Sequence, residues 1–145
     1  MSEPPLELSF TVACPPARAF SVWAERTSLW WPPGHSVSGA PALVAFEPRA
    51  GGRIFERERG GDEHEWGEVL AWEPPHRLAY LWHLRADRSD ATEVEIRFAA
   101  AGAGTLVTIE HRGWERLGAR AAERRERNSK GWAGLLPSYI AACQR

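Results

Sequence analysis

The sequence predicts an α+β fold in which an antiparallel sheet of about six to seven strands is covered by a long C-terminal helix. Three observations indicate this class. Seven segments have strand-like patterns, two short helical segments follow the first of them, and the one long amphipathic helical pattern closes the chain. Strands alone would leave one sheet face bare, and only the terminal helix is long enough to cover it.

The composition is typical of one globular domain spanning residues 1–145. Apolar residues make up 43% and charged residues 26% of the chain. A net charge of −1 gives no support for nucleic-acid binding. The chain start lacks a signal-peptide pattern and no apolar run could span a membrane, so we expect a cytoplasmic protein. Cys14 and Cys143 are expected to be free thiols, with disulfide pairing as the minor alternative.

The first elements are a strand and two short helices. Residues 6–12 alternate apolar and polar side chains, as a half-buried strand does. Pro15 and Pro16 end this strand and suit the first turn of a helix with Phe20 and Trp23 on its apolar side. A second short turn through residues 29–31 ends at the following Pro-Pro-Gly. Further strands are predicted over 43–47, 52–58, 92–98 and 105–111.

A hairpin over residues 65–84 organises the middle of the chain. It turns at Pro74-Pro75, because two prolines cannot both sit in a central strand ladder. Pairing the strands outward from this turn places Gly67 opposite Trp82 and Val69 opposite Tyr80, on an apolar face. Gly67 is expected to leave room there for a large ring or a ligand.

The same count of residues fixes the opposite face of the hairpin. It keeps the facing pair Ala71 and Leu78 on the apolar face and places Trp72 opposite Arg77 on the other face, so Trp66 and Trp72 are predicted on the outer, mixed face or under another element.

The chain ends in a predicted helix whose apolar stripe faces the sheet. Pro137 is expected to kink the helix or break it near Ala133, where a backbone hydrogen bond is lost. The charged run 123–127 (ERRER) is interpreted as a solvated turn. The apolar stripe consists of Ala121, Trp132, Leu135, Leu136, Tyr139, Ile140 and Cys143.

Short segments in a fixed order carry a family resemblance across nearly the whole chain. They are 20–23 (FSVW), 29–32 (LWWP), 51–53 (GGR), 66–70 (WGEVL) with the Pro-Pro turn and 78–82 (LAYLW), 111–114 (HRGW) and 131–132 (GW). Together with the element order they resemble the START-like, or SRPBCC, helix-grip superfamily. The branch they resemble most is the one related to the Aha-type activator of the heat-shock-protein ATPase.

The resemblance implies a curved antiparallel sheet that grips the C-terminal helix, with a cavity between them. In the superfamily this cavity binds lipids, hormones, polyketides and other apolar or aromatic molecules. Some members are cyclases or aromatases, and one branch acts on a chaperone. No universal catalytic motif accompanies the fold, so the resemblance implies no catalytic residue.

Nine residues are predicted to bind a ligand in this cavity. If Glu58 pairs with Glu65, then Glu56 faces Gly67 and points inward, whereas a loop one residue different would turn it to water. The aromatic candidates carry an N–H or O–H that needs a partner when buried. The nine are Trp31, His35, Glu56, Tyr80, Trp82, His111, Trp132, Leu136 and Tyr139.

Other candidates have structural alternatives as well: His35 would simply be exposed in a rim loop, the aromatic candidates would be ordinary core, and His111 would be a satisfied core histidine. Pairing Phe98 with Thr105 puts His111 opposite Thr92 on the core side, where it would bind a ligand or shuttle a proton. The alternative is a hydrogen bond from His111 to the backbone or to Thr92.

The sequence predicts no metal site and no cofactor. CxxC and HExxH motifs are absent, the five histidines are scattered, and no glycine-rich loop precedes a helix. The leading functional hypothesis is a monomer or weak dimer that binds a small apolar or aromatic molecule. The alternatives are a cyclase or hydrolase that uses Glu56 and His111 as acid and base, and an interaction module that acts on a chaperone ATPase.

Overall fold

The computed structural model describes residues 3–145 and confirms the α+β architecture. These residues form seven strands, three α-helices and three short 3₁₀ segments. In order they are β1 (Leu6–Val12), α1 (Pro16–Ala24), α2 (Thr27–Trp30), a 3₁₀ turn (Pro33–His35), β2 (Leu43–Phe46), β3 (Arg53–Arg57), β4 (Glu63–Glu73), β5 (Arg77–Trp82), a 3₁₀ turn (Arg88–Asp90), β6 (Thr92–Ala101), β7 (Gly104–Arg112), a 3₁₀ segment (Trp114–Arg120) and α3 (Ala121–Cys143).

All seven strands form one antiparallel sheet in the order β1-β7-β6-β5-β4-β3-β2. The sheet is a meander from β2 to β7, and β1 joins at the far edge beside β7. Helices α1 and α3 pack over the core-facing side of this curved sheet, as the helix-grip resemblance implies. Within residues 3–145, no helix is both long and apolar enough to cross a membrane.

The β4–β5 hairpin contains a bulge that changes part of the predicted register. Gly67 lies opposite Trp82 and Val69 opposite Tyr80, as predicted. An irregularity after Val69 then places Ala71 opposite Ala79 and Trp72 opposite Leu78, so the predicted pairs of Ala71 with Leu78 and of Trp72 with Arg77 are wrong. A bulge adds one residue to one strand and turns the side chains beyond it to the other face.

Trp72 is therefore on the core side rather than the outer face. Its ring meets Phe20 of α1 edge-on, with 5.1 Å between centroids. The bulge thus supplies part of the packing between the hairpin and the first helix.

A second irregularity, between β3 and β4, turns Trp66 inward. Ile54 lies opposite Gly67 and Phe55 opposite Glu65, which leaves Trp66 as the extra residue of β4. Trp66 is fully buried, so its predicted position on the outer face is wrong. The pairings predicted from Glu58 and Glu65 are wrong too, because Glu56 lies opposite His64.

The β6–β7 hairpin is longer than predicted, and its register differs by two residues. Both strands continue to a tight turn after Ala101, so Phe98 lies opposite Val107 and His111 opposite Val94. A shift of two residues keeps every side chain on its face. His111 consequently remains on the core side and is fully buried.

Helix α3 runs unbroken through Pro137, so the predicted break near Ala133 does not occur. Ala133 is exposed, which places its unbonded carbonyl on the solvent side of the helix. Two hydrogen bonds fasten this half of the helix to the N-terminal helices: Ser138 Oγ donates to the carbonyl of Trp30, and Tyr139 Oη donates to the carbonyl of Ala19 at 2.7 Å.

Candidate functional site

Aromatic side chains occupy much of the space between the sheet and α3. Near α1 the Trp23 ring lies 4.7 Å from Tyr139 and 5.0 Å from Trp30, between centroids. Farther along, Trp66 lies 5.0 Å from Trp31 and 5.7 Å from Trp82. This packing is a core rather than an empty chamber, so an aromatic ligand would meet these rings where the cluster reaches the surface.

The cluster reaches the surface in a cleft between the end of β5 and the first half of α3. The inner part of this cleft has a volume of about 70 Å³. Three indole rings and two leucines dominate its walls. The lining residues are Trp31, His35, Trp82, Leu84, Asn128, Gly131, Trp132 and Leu135.

The outer part of the cleft is larger and more polar than the inner part. It has a volume of about 270 Å³ and shares five lining residues with the inner part, so the two parts adjoin. The lining residues are Gly34, His35, Trp82, His83, Leu84, Arg85, Arg124, Arg127, Asn128 and Gly131. We refer to the two parts together as the α3 cleft.

Arg85 holds one wall of the α3 cleft together. It follows β5 in a left-handed conformation with φ of 60°, which non-glycine residues seldom adopt and which tends to occur at functional sites. Its guanidinium donates to the carbonyls of Gly34 and Ser36. Trp31 Nε1 donates to the carbonyl of His35 at 2.9 Å and closes the same turn. The loop after α2 is therefore fastened to the end of β5.

Two imidazoles line the α3 cleft: His35 lies in both parts, and His83 lies in the outer part. Burial, followed by the nearby Arg85 guanidinium, holds the pKa of His35 below its ordinary value. His83 is 6% exposed and its Nδ1 has no hydrogen-bond partner within residues 3–145. A buried nitrogen without a partner costs free energy, which a ligand or a water molecule can recover.

Glu56 is buried, but its carboxylate is occupied by groups of the chain itself. It accepts hydrogen bonds from Trp66 Nε1 at 2.8 Å, from the backbone N–H of Val37 at 2.5 Å, and from both the N–H and the hydroxyl of Ser38 at 3.1 and 2.7 Å. Burial acts to raise the pKa of Glu56, but these four bonds outweigh it and hold the pKa below its ordinary value. The carboxylate is ionised and fastens the segment 37–38 to the sheet.

His111 is likewise enclosed in a chain of hydrogen bonds. Trp132 Nε1 lies 3.0 Å from His111 Nδ1, and since an indole nitrogen only donates, Nδ1 must be the unprotonated acceptor. His111 Nε2 then carries the proton and donates to Thr92 Oγ1 at 2.7 Å. Burial, and secondarily the charge of Arg124, lower the pKa of His111 to about 3. The imidazole is therefore neutral, in the arrangement with Thr92 that the sequence allowed.

The nine predicted site residues thus separate into groups. Trp31, His35, Trp82 and Trp132 meet in the α3 cleft. Glu56 lies behind Trp66, and His111 lies behind Trp132. Tyr80, Tyr139 and Leu136 belong to the packed core, where Tyr80 meets Phe46 and Trp82 edge-on. Gly67 leaves no ligand space, because the carbonyl oxygen of Leu81 would lie 1.9 Å from a Cβ at this position.

The sequence interpretation missed the polar half of the α3 cleft. Segment 123–127 was predicted as a solvated turn, but it is helical, and Arg124 and Arg127 line the outer part. A signal was present: Arg124, Asn128, Gly131 and Leu135 follow one another at helical spacing, so extending the apolar stripe of α3 backwards leads to the cleft. The contributions of His83 and Arg85 depend on the conformation after β5, which no pattern indicated.

Solved structures of known proteins resemble this chain. Txn09, an anthrahydroquino-gamma-pyrone synthase complexed with SUM, is 36% identical with a TM-score of 0.61, over 84% of each chain. CalC, a self-sacrificing resistance protein from Micromonospora echinospora, is 29% identical with a TM-score of 0.74, over 97% of this chain and 94% of that chain. Protein MLL2253 from Mesorhizobium loti shares the fold at 18% identity, with a TM-score of 0.70 over 94% of each chain. No curated protein matches the chain.

These likenesses confirm the START-like, SRPBCC resemblance drawn from the sequence motifs. The sequence profile of the Activator of Hsp90 ATPase homolog 1-like proteins matches residues 13–143, which is nearly the whole chain. The chain therefore belongs to the family of Activator of Hsp90 ATPase homolog 1-like proteins.

Proposed function

We propose that this protein binds a small aromatic molecule in the α3 cleft. The observation that carries the proposal is the meeting of Trp31, Trp82 and Trp132 around an open space that continues outward into a polar mouth. Ligand sites combine an apolar, often aromatic, lining with a few placed polar groups. The α3 cleft has both, whereas the core between sheet and helix is filled by packed aromatic side chains, and its one polar atom without a partner within residues 3–145, Trp23 Nε1, is fully buried.

The dimensions of the cleft set how such a ligand would lie. The inner part, about 70 Å³, accommodates one edge of a ring system, and the remainder of the molecule extends into the outer part of about 270 Å³. Indole rings at offset or tilted angles favour flat aromatic partners through stacking and edge contacts. A planar, fused ring system therefore fits better than a long flexible acyl chain.

The relatives support an aromatic ligand. Txn09 is named as a synthase of an anthrahydroquino-gamma-pyrone, which is a fused ring system. CalC is named as a resistance protein, and this chain matches nearly its full length. The fused-ring product named for Txn09, the more similar of the two by sequence, supports a polycyclic aromatic ligand for this chain.

The test blocks the inner part of the cleft without disturbing the core. Gly131 lines both parts of the cleft, and a Cβ built there meets no atom within 4 Å. Gly131→Leu would fill the open space and also remove a helix-weakening glycine. Binding of neutral N-phenyl-1-naphthylamine and anthraquinone is measured by probe fluorescence and tryptophan quenching. We expect saturable binding by the wild type and at least about tenfold weaker binding by Gly131→Leu.

Ala133→Leu is the matched control, because Ala133 is exposed on the same helix and lies outside the cleft. It should bind both probes like the wild type. Absence of saturable binding by the wild type, or equal binding by Gly131→Leu, would overturn the proposal.

The two other hypotheses have weaker structural support. An acid–base pair of Glu56 and His111 requires both groups to reach a substrate, but each spends its polar atoms on bonds within the chain. A chaperone-directed role is suggested by the family description. The small-molecule hypothesis is the one the geometry supports best, because three indole rings meet in the α3 cleft.

A further inference from the structure

The outer part of the α3 cleft carries a concentrated positive charge. Three of its ten lining residues are arginines, and none of the ten is acidic. Since the whole chain has a net charge of −1, this is a local feature and not a reflection of overall composition. The charge stands directly at the mouth of the apolar inner part.

Arg124 differs from the other two arginines because it is half-buried, on α3, and has no hydrogen-bond or ion-pair partner within residues 3–145. Burial, and then the charge of Arg127, hold the pKa of Arg124 below its ordinary value. Elsewhere the protein pairs its partly buried arginines: Arg77 and Arg112 both bind Glu95. Arg124 is built into the wall of the cleft without such a partner.

The other two arginines also keep their charge available. Arg85 donates only to the backbone carbonyls of Gly34 and Ser36, which leaves its positive charge unneutralised. Arg127 makes no ion pair within the described residues 3–145.

Acidic residues do occur in the open region beyond the cleft mouth, but most are engaged. Asp90 pairs with Arg120 at 2.9 Å, and Glu63 and Glu65 both pair with Arg53 at 2.8 and 2.7 Å. Asp87 is the remaining acidic residue of that region. The charges of Asp90 and, more weakly, Glu123 also act on Arg124, but neither carboxylate forms an ion pair with it within residues 3–145, so the three cleft arginines are only partly offset.

We propose that the ligand of the α3 cleft is an aromatic anion, whose ring system enters among the tryptophans while its carboxylate, sulfonate or phosphate group is bound by Arg85, Arg124 and Arg127. This inference rests on the proposed function and narrows it. Arginine suits this task because its planar fork binds such oxyanions in a bidentate manner and stays charged at all physiological pH values. The side-chain amide of Asn128 lies beside the arginines, although its Nδ2 is engaged with the carbonyl of Arg124 at 2.9 Å.

A matched pair of probes separates the inference from the function on which it rests. N-phenyl-1-naphthylamine and 8-anilinonaphthalene-1-sulfonate share one aromatic skeleton, and only the second is anionic. We expect the wild type to bind the sulfonate at least about tenfold more tightly. Raising NaCl from about 50 to about 500 mM should weaken binding of the sulfonate and leave binding of the neutral probe nearly unchanged. Gly131→Leu should weaken binding of both probes. A loss of sulfonate binding in this variant would show that the sulfonate binds in the cleft.

Arg124→Gln isolates the charge. Because Arg124 has no internal partner, its replacement by a good helix former is not expected to unfold the protein, and thermal unfolding verifies this. Arg124→Gln should weaken binding of the sulfonate about tenfold and binding of the neutral probe by a much smaller factor. Arg116→Gln, which removes the same charge from an exposed site outside the cleft, should bind both probes like the wild type.

The outcomes distinguish the two ideas. The anionic inference is wrong if the neutral probe binds in the cleft and the sulfonate binds no more tightly. It is also wrong if Arg124→Gln leaves the affinity for the sulfonate unchanged. In both cases the proposed function stands. If neither probe binds in a way that Gly131→Leu abolishes, the proposed function itself fails.

Discussion

Trp66 donates its indole N–H to Oε1 of Glu56 at 2.8 Å, and neither side chain is exposed. The bond joins the extra residue of the β4 bulge to a carboxylate that also holds Val37 and Ser38. One buried charge therefore connects the sheet with the loop that leads from the α3 cleft to β2. Glu56 was predicted to bind a ligand, but its carboxylate instead stabilises this loop through hydrogen bonds behind the tryptophan cluster.

Glu56→Gln should destabilise the protein by about 2–4 kcal/mol. The amide group of glutamine presents donors where the carboxylate accepts, so at least one of the four donors around it is left without a partner and the charge-assisted bonds are weakened. Urea unfolding at neutral pH measures the loss. Glu65→Gln is the control, because Glu65 is exposed and its pair with Arg53 should contribute no more than about 1 kcal/mol. Equal losses in the two variants would contradict the buried role of Glu56.

The pH dependence of the same variant has a defined sign. The pKa of Glu56 is below its ordinary value of 4.5 in the folded state, so its stabilising effect is complete above pH 4.5 and is lost as pH falls through the folded-state pKa. The stability difference between wild type and Glu56→Gln should therefore shrink in acid. A difference that grew on acidification would mean that the carboxyl is protonated in the folded state.

The two tryptophans of β4 mark the limit of what the sequence predicts about the fold. Alternation and proline turns predicted all seven strands and the terminal helix, because periodicity depends only on local burial. The predicted sheet faces of Trp66 and Trp72 were wrong, because the position of each tryptophan follows from a bulge that inserts one residue. A bulge is stabilised by its tertiary partners, here Glu56 and Phe20, which local sequence does not reveal.

The candidate site divides in the same way. Trp82 and Trp132 were predicted because large aromatic side chains with an N–H signal burial near a polar partner. Arg124 was assigned to a solvated turn, since a charged run in isolation is usually exposed. Its position in the α3 cleft results from α3 beginning as far back as residue 121, and from the course of the chain after β5.

Acidification below pH 6.5 should weaken the protein through His111. Burial lowers the pKa of His111 to about 3 in the folded state, whereas the unfolded chain takes up the proton near the ordinary value of 6.5. Its contribution is therefore complete above pH 6.5 and is lost progressively as pH falls towards 3. Between pH 6.5 and pH 5 the loss should be about 2 kcal/mol, at about 1.4 kcal/mol per pH unit.

Urea unfolding at several pH values compares the wild type with His111→Gln. The variant does not titrate at this position, so its stability should change less over the same interval, even if it is less stable throughout. His64, whose pKa is raised by its bond to Glu58, acts in the opposite direction but is present in both proteins and cancels in the difference. Parallel pH profiles for the two proteins would contradict a neutral, buried His111.

Gly67→Ala should cost about 3 kcal/mol or more, or prevent folding, because the hairpin strands meet too closely at this point to admit a methyl group. A Cβ on residue 67 would lie 1.9 Å from the carbonyl oxygen of Leu81 and 3.0 Å from its carbon, and backbone cannot move aside as a flexible side chain can. Gly131→Ala supplies the opposite case: its Cβ meets nothing within 4 Å, and alanine should stabilise α3 by about 0.5–1 kcal/mol. Thermal and urea unfolding of both variants test the contrast. If Gly67→Ala were tolerated as well as Gly131→Ala, the glycine opposite Trp82 would leave space after all, and a ligand position inside the hairpin would again compete with the α3 cleft.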